Sequence, residues 1–171
     1  MKYKVTFLDY WHLSSGLSAG AKLDSTVVRD ENGLPYIPGK TIKGLIKEQS
    51  NNNKFLEICF GEEGNKIGKC HFSNAEIEEN TKKSIIKNSL QNQLFDEIAS
   101  TKIDKENGIA ESGSLREIEV VIPMSLYGEI TNIPDEYKQE MINCLKKIKR
   151  MGLNRNRGLG RCLIADKGEK K

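Results

Sequence analysis

An α+β fold in the order β-α-β-β-α-β is predicted for this 171-residue chain by three observations. The first residues alternate apolar and polar, two later segments repeat apolar residues at helical spacing, and a β-branched run lies between those segments. A further short apolar run closes the chain.

Residues 2–8 place Tyr3, Val5 and Phe7 on one face and Lys2, Lys4 and Thr6 on the other, the pattern of a half-buried strand. Residues 11–35 are rich in Ser, Gly, Asp and Asn without periodicity, so a long functional loop is expected there, with a short strand at 26–29. Ile42, Leu45 and Ile46 mark a helix from about 39 to 49, ended by the polar run 50–53. Residues 55–60 are apolar, and Cys70 and Phe72 indicate a strand at about 69–75. In 83–98, Ile86, Leu90, Leu94 and Ile98 fall four apart and argue for a helix, which Asn88, Ser89 and Asn92 weaken. Residues 100–114 read as an exposed loop or hairpin. Ile118, Val120 and Ile122 share one face of a strand over 115–122, with pairing expected to continue to about residue 130. Pro134 opens the clearest helix, striped by Tyr137, Met141, Cys144, Leu145 and Ile148 and stopped at Gly152. Residues 161–165 form the last strand. The order is that of a ferredoxin-like fold with loop insertions. Neither repeat nor linker interrupts it, so residues 1–171 form a single domain.

Apolar residues make up 37% of the chain and charged residues 30%, with a formal charge of +3, so charge alone does not single out a partner. Its distribution does. Between Lys138 and Arg161 there are eight Lys/Arg against the single acid Glu140, which predicts one basic face. Cys59, Cys70, Cys144 and Cys162 show no C-x-x-C spacing, so reduced core thiols are expected rather than zinc or disulfides. The expected location is cytoplasmic, since no signal peptide and no membrane-length apolar run is present.

The most informative stretch is 33–44, Gly-Leu-Pro-Tyr-Ile-Pro-Gly-Lys-Thr-Ile-Lys-Gly. Pro38 and Gly39 suit a helix entry, yet Lys40, Thr41 and Lys43 then crowd the first turn, where the helix dipole disfavours cations. An anion held on exposed N–H groups, with lysines closing over it, would reconcile the two. A second glycine-bearing basic loop contains Arg155, Arg157, Gly158, Gly160 and Arg161. Two such segments on one small chain point to a polyphosphate, RNA above all.

The chain is similar to the RAMP superfamily of CRISPR-associated proteins, and most to the backbone subunits of type III effector complexes. The matching pieces are Trp11-His12-Leu13-Ser14-Ser15-Gly16, Leu23-Asp24-Ser25-Thr26-Val27-Val28-Arg29-Asp30, the 33–44 string, Ile103-Asp104-Lys105-Glu106-Asn107-Gly108-Ile109-Ala110, Leu115-Arg116-Glu117-Ile118-Glu119-Val120 and Arg157-Gly158-Leu159-Gly160-Arg161. They span residues 3 to 165. The chain is shorter than typical backbone subunits, and its 17–22 stretch is more compact. The resemblance implies an RNA-recognition-type ferredoxin fold polymerising along a guide RNA, with 100–114 as a thumb-like hairpin that kinks the guide–target duplex. Implied partners are guide RNA, complementary target RNA, and other effector subunits or copies of itself, with no membrane. Asp24 matches the aspartate that active members need for cutting target RNA, and Mg²⁺ is the implied cofactor.

Each candidate has a plainer alternative. Asp24 could instead cap a turn. RNA phosphate contact is assigned to Gly39, Lys40, Thr41, Lys43, Lys47, Arg155, Arg157, Gly158, Gly160 and Arg161, any of which could be a solvated surface residue. His12 would be the general base if the chain were a stand-alone guide-processing endoribonuclease, with packing or guide contact as its other roles. His71 is expected to be a strand residue without chemistry. Trp11 would stack on a base or pack under the loop. Besides guide binding with target cleavage, three readings stay open: an inert structural subunit, the processing enzyme, and an unrelated ferredoxin-like metabolite or nucleotide binder.

Overall fold

A computed structural model describes residues 1–17, 23–62, 64, 66–104 and 106–167. Strand β1 (Lys2–Phe7) has the predicted alternation, with Tyr3, Val5 and Phe7 buried. It lies between β7 (Ser125–Thr131) and β8 (Cys162–Asp166), antiparallel to both. Strand β4 (His71–Phe72) pairs with β7 and completes a four-stranded antiparallel sheet in the order β4-β7-β1-β8.

Helix α1 (Gly39–Lys47) connects β1 to β4 and buries Ile42, Leu45 and Ile46. Helix α4 (Lys138–Lys147), entered through a 3-10 turn at Asp135–Tyr137, connects β7 to β8 and buries Met141, Cys144 and Leu145. These side chains join Tyr3, Val5, Leu126, Ile130 and Ile164 in one core. Burying that apolar surface is the main driving force for the fold. All four cysteines are buried and free, and burial pushes the Cys59 thiol up to about 12 and that of Cys162 to about 11, so both are poor nucleophiles.

Four expectations change. Residues 53–60 form a helix of their own, α2 (Asn53–Phe60), whose N-cap Asn52 accepts the Phe55 N–H, and two short strands follow, β2 (Gly61–Glu62) and β3 (Lys66–Ile67). The strand expected at 69–75 shrinks to His71–Phe72, with an isolated bridge joining Ala75 to Ile37. The 83–98 segment is not one helix. Helix α3 (Glu79–Lys87) ends at Asn88 and Ser89, the latter at φ 54°, and after a 3-10 turn the chain becomes β5 (Phe95–Ser100). Nor does the 115–122 strand run on to residue 130. Strand β6 (Arg116–Val121) pairs with β5, outside the central sheet, and a break at 122–124 containing Pro123 precedes β7. Strands β5 and β6 thus make a hairpin, and the described residues of 101–115 form its tip, tied by an Ile103–Ala110 bridge and by Asp104 accepting the N–H groups of Glu106 and Asn107.

Candidate nucleic-acid interface

Helix α1 carries its polar residues on one side. Lys40, Gly44 and Lys47 are exposed at i, i+4 and i+7, a stripe the length of the helix, and nothing stands over Gly44. Thr41 and Lys43 are half-buried beside it. The expected row of open amides is absent at the entry. Gly39 is buried, its N–H donates to the Asn74 Oδ1 at 3.0 Å, and the Thr41 N–H donates to the Pro38 carbonyl. A methyl at Gly39 would lie 2.2 Å from the Phe72 carbonyl oxygen, so this glycine lets α1 pack on β4. The lysine stripe, rather than the helix terminus, is what α1 presents to solvent.

The second basic segment meets α1 at its other end. Arg155 Nη1 lies 3.9 Å from Glu48 Oε2, just beyond Lys47. Arg157 lines a cleft of about 630 Å³ together with Ser100, Thr101, Lys102, Ser114 and Arg116 at the base of the hairpin tip. Lys102 is paired with Glu111 across this cleft, whereas Arg116 and Arg157 make no side-chain bond to other described residues. Arg116 was not singled out from the sequence, because nothing local distinguishes it from any other charge on a strand. Its signal is that it lines the same cleft as Arg157.

The members of the loop differ in role. Arg161 is committed to a two-pronged ion pair with Asp9, Nε to Oδ2 and Nη2 to Oδ1, both at 3.1 Å. Gly158 (φ 94°) faces open space, while Gly160 (φ 71°) is buried with a would-be methyl 2.0 Å from the Met151 carbonyl oxygen. Both conformations favour glycine, but only Gly160 adds a backbone collision. Gly160→Ala is expected to destabilise the chain by about 3 kcal/mol and Gly158→Ala by about 1 kcal/mol, measured as shifts in urea midpoint. Equal losses would contradict the geometry.

Asp24 and the hairpin form one unit. The Asp24 N–H donates to the Glu117 carbonyl and its Oδ2 accepts the Glu117 N–H, both at 2.9 Å, while Ser25 bridges Ile118 in parallel. Asp24 is exposed, so the carboxylate caps the edge of β6 with one oxygen. Residues 18–22, which hold most of the compact stretch before it, lie outside the described residues. Leu159 packs with Ile118 and Val120 in a second small core, which joins the basic loop to the same hairpin. Among the described residues no group of three His, Cys, Asp or Glu could hold a metal ion.

His12 and Trp11 resolve toward packing. His12 is fully buried, with Nδ1 2.5 Å from the Glu119 carbonyl oxygen and Nε2 3.0 Å from the Ser25 Oγ. Both ring nitrogens face protein partners and the ring is closed off from solvent, an arrangement that favours packing. Trp11 is also fully buried and stacks on Phe7 with centroids 4.4 Å apart, so no base can reach it. His71 is exposed on β4. Among the described residues, no helix is long and apolar enough to cross a membrane.

A family model of the RAMP superfamily matches residues 4–163. Two solved structures resemble the fold at 14% sequence identity. One is a chain of the Type III-B Cmr-beta cryo-EM structure bound to cognate target RNA, with a TM-score of 0.72 over 95% of each chain. The other is a chain of Type III-B Cmr-beta in the apo state, with a TM-score of 0.71 over 98% of this chain and 97% of that one. No curated protein matches the sequence.

Proposed function

Because the chain belongs to the RAMP superfamily, we propose that it is a guide-RNA-binding backbone subunit of a type III-like CRISPR effector complex. It works in the cytoplasm, assembles with other effector subunits or copies of itself, and carries guide RNA paired to complementary target RNA. The observation that carries this reading is the meeting of the two basic segments: Arg155 beside the end of the α1 lysine stripe, and Arg157 lining the same cleft as Arg116. In this reading Lys40, Lys47, Arg155, Arg157 and Arg116 line one cationic path ending at the hairpin, with Arg155 giving up its single 3.9 Å contact to Glu48 for phosphate. A phosphate backbone is recognised by such a path without base contacts. The sheet order β4-β7-β1-β8, with helical crossovers from β1 to β4 and from β7 to β8, supports the ferredoxin-like reading of the fold. The β5–β6 hairpin is the thumb in this reading, with residues 100–114 at its tip. The likeness to a chain of Cmr-beta bound to cognate target RNA fits the same role.

Asp24 is the residue proposed to support target cleavage. It is exposed beside the start of β6, next to the hairpin tip, and in this reading a duplex lying on the cationic path passes there. Mg²⁺ is the proposed cofactor. The described residues offer no cage, but a hydrated Mg²⁺ needs only one or two carboxylates when phosphates complete its shell. Asp24 would hold it, and the ion would neutralise charge developing on the phosphate. The chain's own part is to hold the scissile segment in line. The bond between Asp24 and Glu117 favours a second reading, in which Asp24 only caps the strand and the subunit is inert.

The binding reading is tested with the purified chain and a labelled single-stranded RNA, by fluorescence anisotropy across a salt series. Each phosphate contact contributes about 0.7 to the slope of log affinity against log salt, so replacing both Arg155 and Arg157 with Ala should lower it by about 1.4. Arg161→Ala should change it less, since Asp9 already takes that charge. Salt-insensitive binding, or a slope unmoved by the double replacement, would overturn the proposal.

A further inference from the structure

The outer edge of β6 is unusually well occupied. At residues 117, 119 and 121 its backbone groups bond to the chain that precedes α1. The Glu117 carbonyl takes the Asp24 N–H, the Glu119 N–H goes to the Ser25 carbonyl, and Val121 exchanges two bonds with Trp11. The Glu119 carbonyl faces the buried His12 Nδ1. Segment 23–29 is therefore an added strip on the hairpin rather than a free loop.

Among the described residues, backbone bonds tie that strip to β6 at only two places, Asp24 and Ser25, while Thr26 and Val28 bond instead to residues 13–17. The next rung is made by a side chain. Glu119 is only 7% exposed, and its Oε2 accepts the Val27 N–H at 2.9 Å. Its Oε1 takes the Arg29 guanidinium, which in turn lies 3.6 Å over the Phe95 ring on β5. The same carboxylate thus ties together both hairpin strands and the strip. Below it, His12 Nε2 and Ser14 Oγ both reach the Ser25 Oγ, at 3.0 and 3.1 Å.

A buried carboxylate is a weak source of net stability, because desolvation offsets its pairing. What it supplies well is register. A slip of one residue along β6 would turn Asp24 to the opposite face and bring Leu23 or Ser25 into its place. Of the backbone bonds to β6, such a slip need break only the two at Asp24 and Ser25, and Glu119 adds its hold on Val27 and Arg29.

We propose that Glu119 is the positioning residue of the Asp24 site, fixing through Val27 and Arg29 where the Asp24 carboxylate stands on the hairpin. This rests on the reading of Asp24 as the residue that supports cleavage. Any force on the hairpin is then transmitted to Asp24, because strip and hairpin share one buried anchor.

The test uses the assembled effector with guide RNA, comparing parent, Asp24→Ala, Glu119→Gln and the double variant. Glu119→Gln keeps the volume and one acceptor but loses the charge that grips Arg29. It should lower the cleavage rate at saturating target by about 10- to 100-fold, as loss of an outer supporting residue commonly does, with target affinity and guide loading unchanged. In the Asp24→Ala background it should add no further loss, whereas general damage to the fold would. A full rate for Glu119→Gln beside an inactive Asp24→Ala overturns the positioning role and leaves the Asp24 reading standing. A full rate for Asp24→Ala overturns the cleavage reading itself, and the positioning role falls with it. Should Glu119→Gln fail to assemble, Arg29→Lys and amide hydrogen exchange decide. The lysine variant should lose rate and speed exchange at Asp24 and Val27 while α1 stays protected, and exchange as slow as in the parent overturns the proposal.

Discussion

Asp24→Ala in an assembled effector is expected to slow cutting of complementary target RNA by about 100-fold or more, with guide loading and target affinity unchanged. Asp24 is exposed, so truncating it leaves no cavity. Its structural work is one bond, from the Glu117 N–H to Oδ2. Losing that bond leaves a strand-edge N–H that water can satisfy, worth about 1 kcal/mol. Stability and chemistry therefore separate cleanly at this position. Asp24→Asn sharpens the contrast, since the amide oxygen can still accept from Glu117 while the charge is gone. Both variants should melt near the parent temperature, and both should fail to cut. A labelled target, resolved on a denaturing gel over a time course, is the measurement. Cutting by Asp24→Asn at the parent rate would assign Asp24 to strand capping alone.

Trp11→Ala is expected to be the most destabilising single change, by about 4 kcal/mol. The indole is fully buried, lies parallel to Phe7 at 4.4 Å, and belongs to the main core. Stacked aromatic pairs contribute beyond the area they bury. The indole Nε1 has no hydrogen-bond partner among the described residues, so the role is packing rather than polar. Trp11→Phe should accordingly lose less than Trp11→Ala, because it keeps a ring on Phe7 and removes an unpartnered donor. Equilibrium urea unfolding measures both. RNA affinity per folded molecule should be the same in all three proteins, and a selective loss of affinity in Trp11→Phe would return Trp11 to a role in base stacking.

The legible parts of the fold were those with a local cause. The alternation in β1 and the i, i+3, i+4 spacing in α1 and α4 each bury one face, and any fold that satisfies them must place those faces inward. The four-residue spacing of Ile86, Leu90, Leu94 and Ile98 misled because it crosses a helix end. Ser89 leaves the helical conformation, and Phe95 and Ile98 turn toward β6 instead. Only a partner strand twenty residues on decides that, and strand preference depends on such neighbours more than helix preference does.

The same division holds for the candidate interface. Composition and order alone determined that basic, glycine-bearing segments flank the two helices, since charge and backbone freedom belong to each residue. Tertiary structure decided which of those charges is free. Arg161 is neutralised by Asp9, 152 positions away, while Arg157 is left lining a cleft with Arg116. It likewise closed the amide of Gly39 with Asn74 and put Asp24 on the edge of β6. The reason is physical: a charge or a donor acts through whatever lies within a few ångströms, and in a folded chain that neighbour is set by packing rather than by sequence distance.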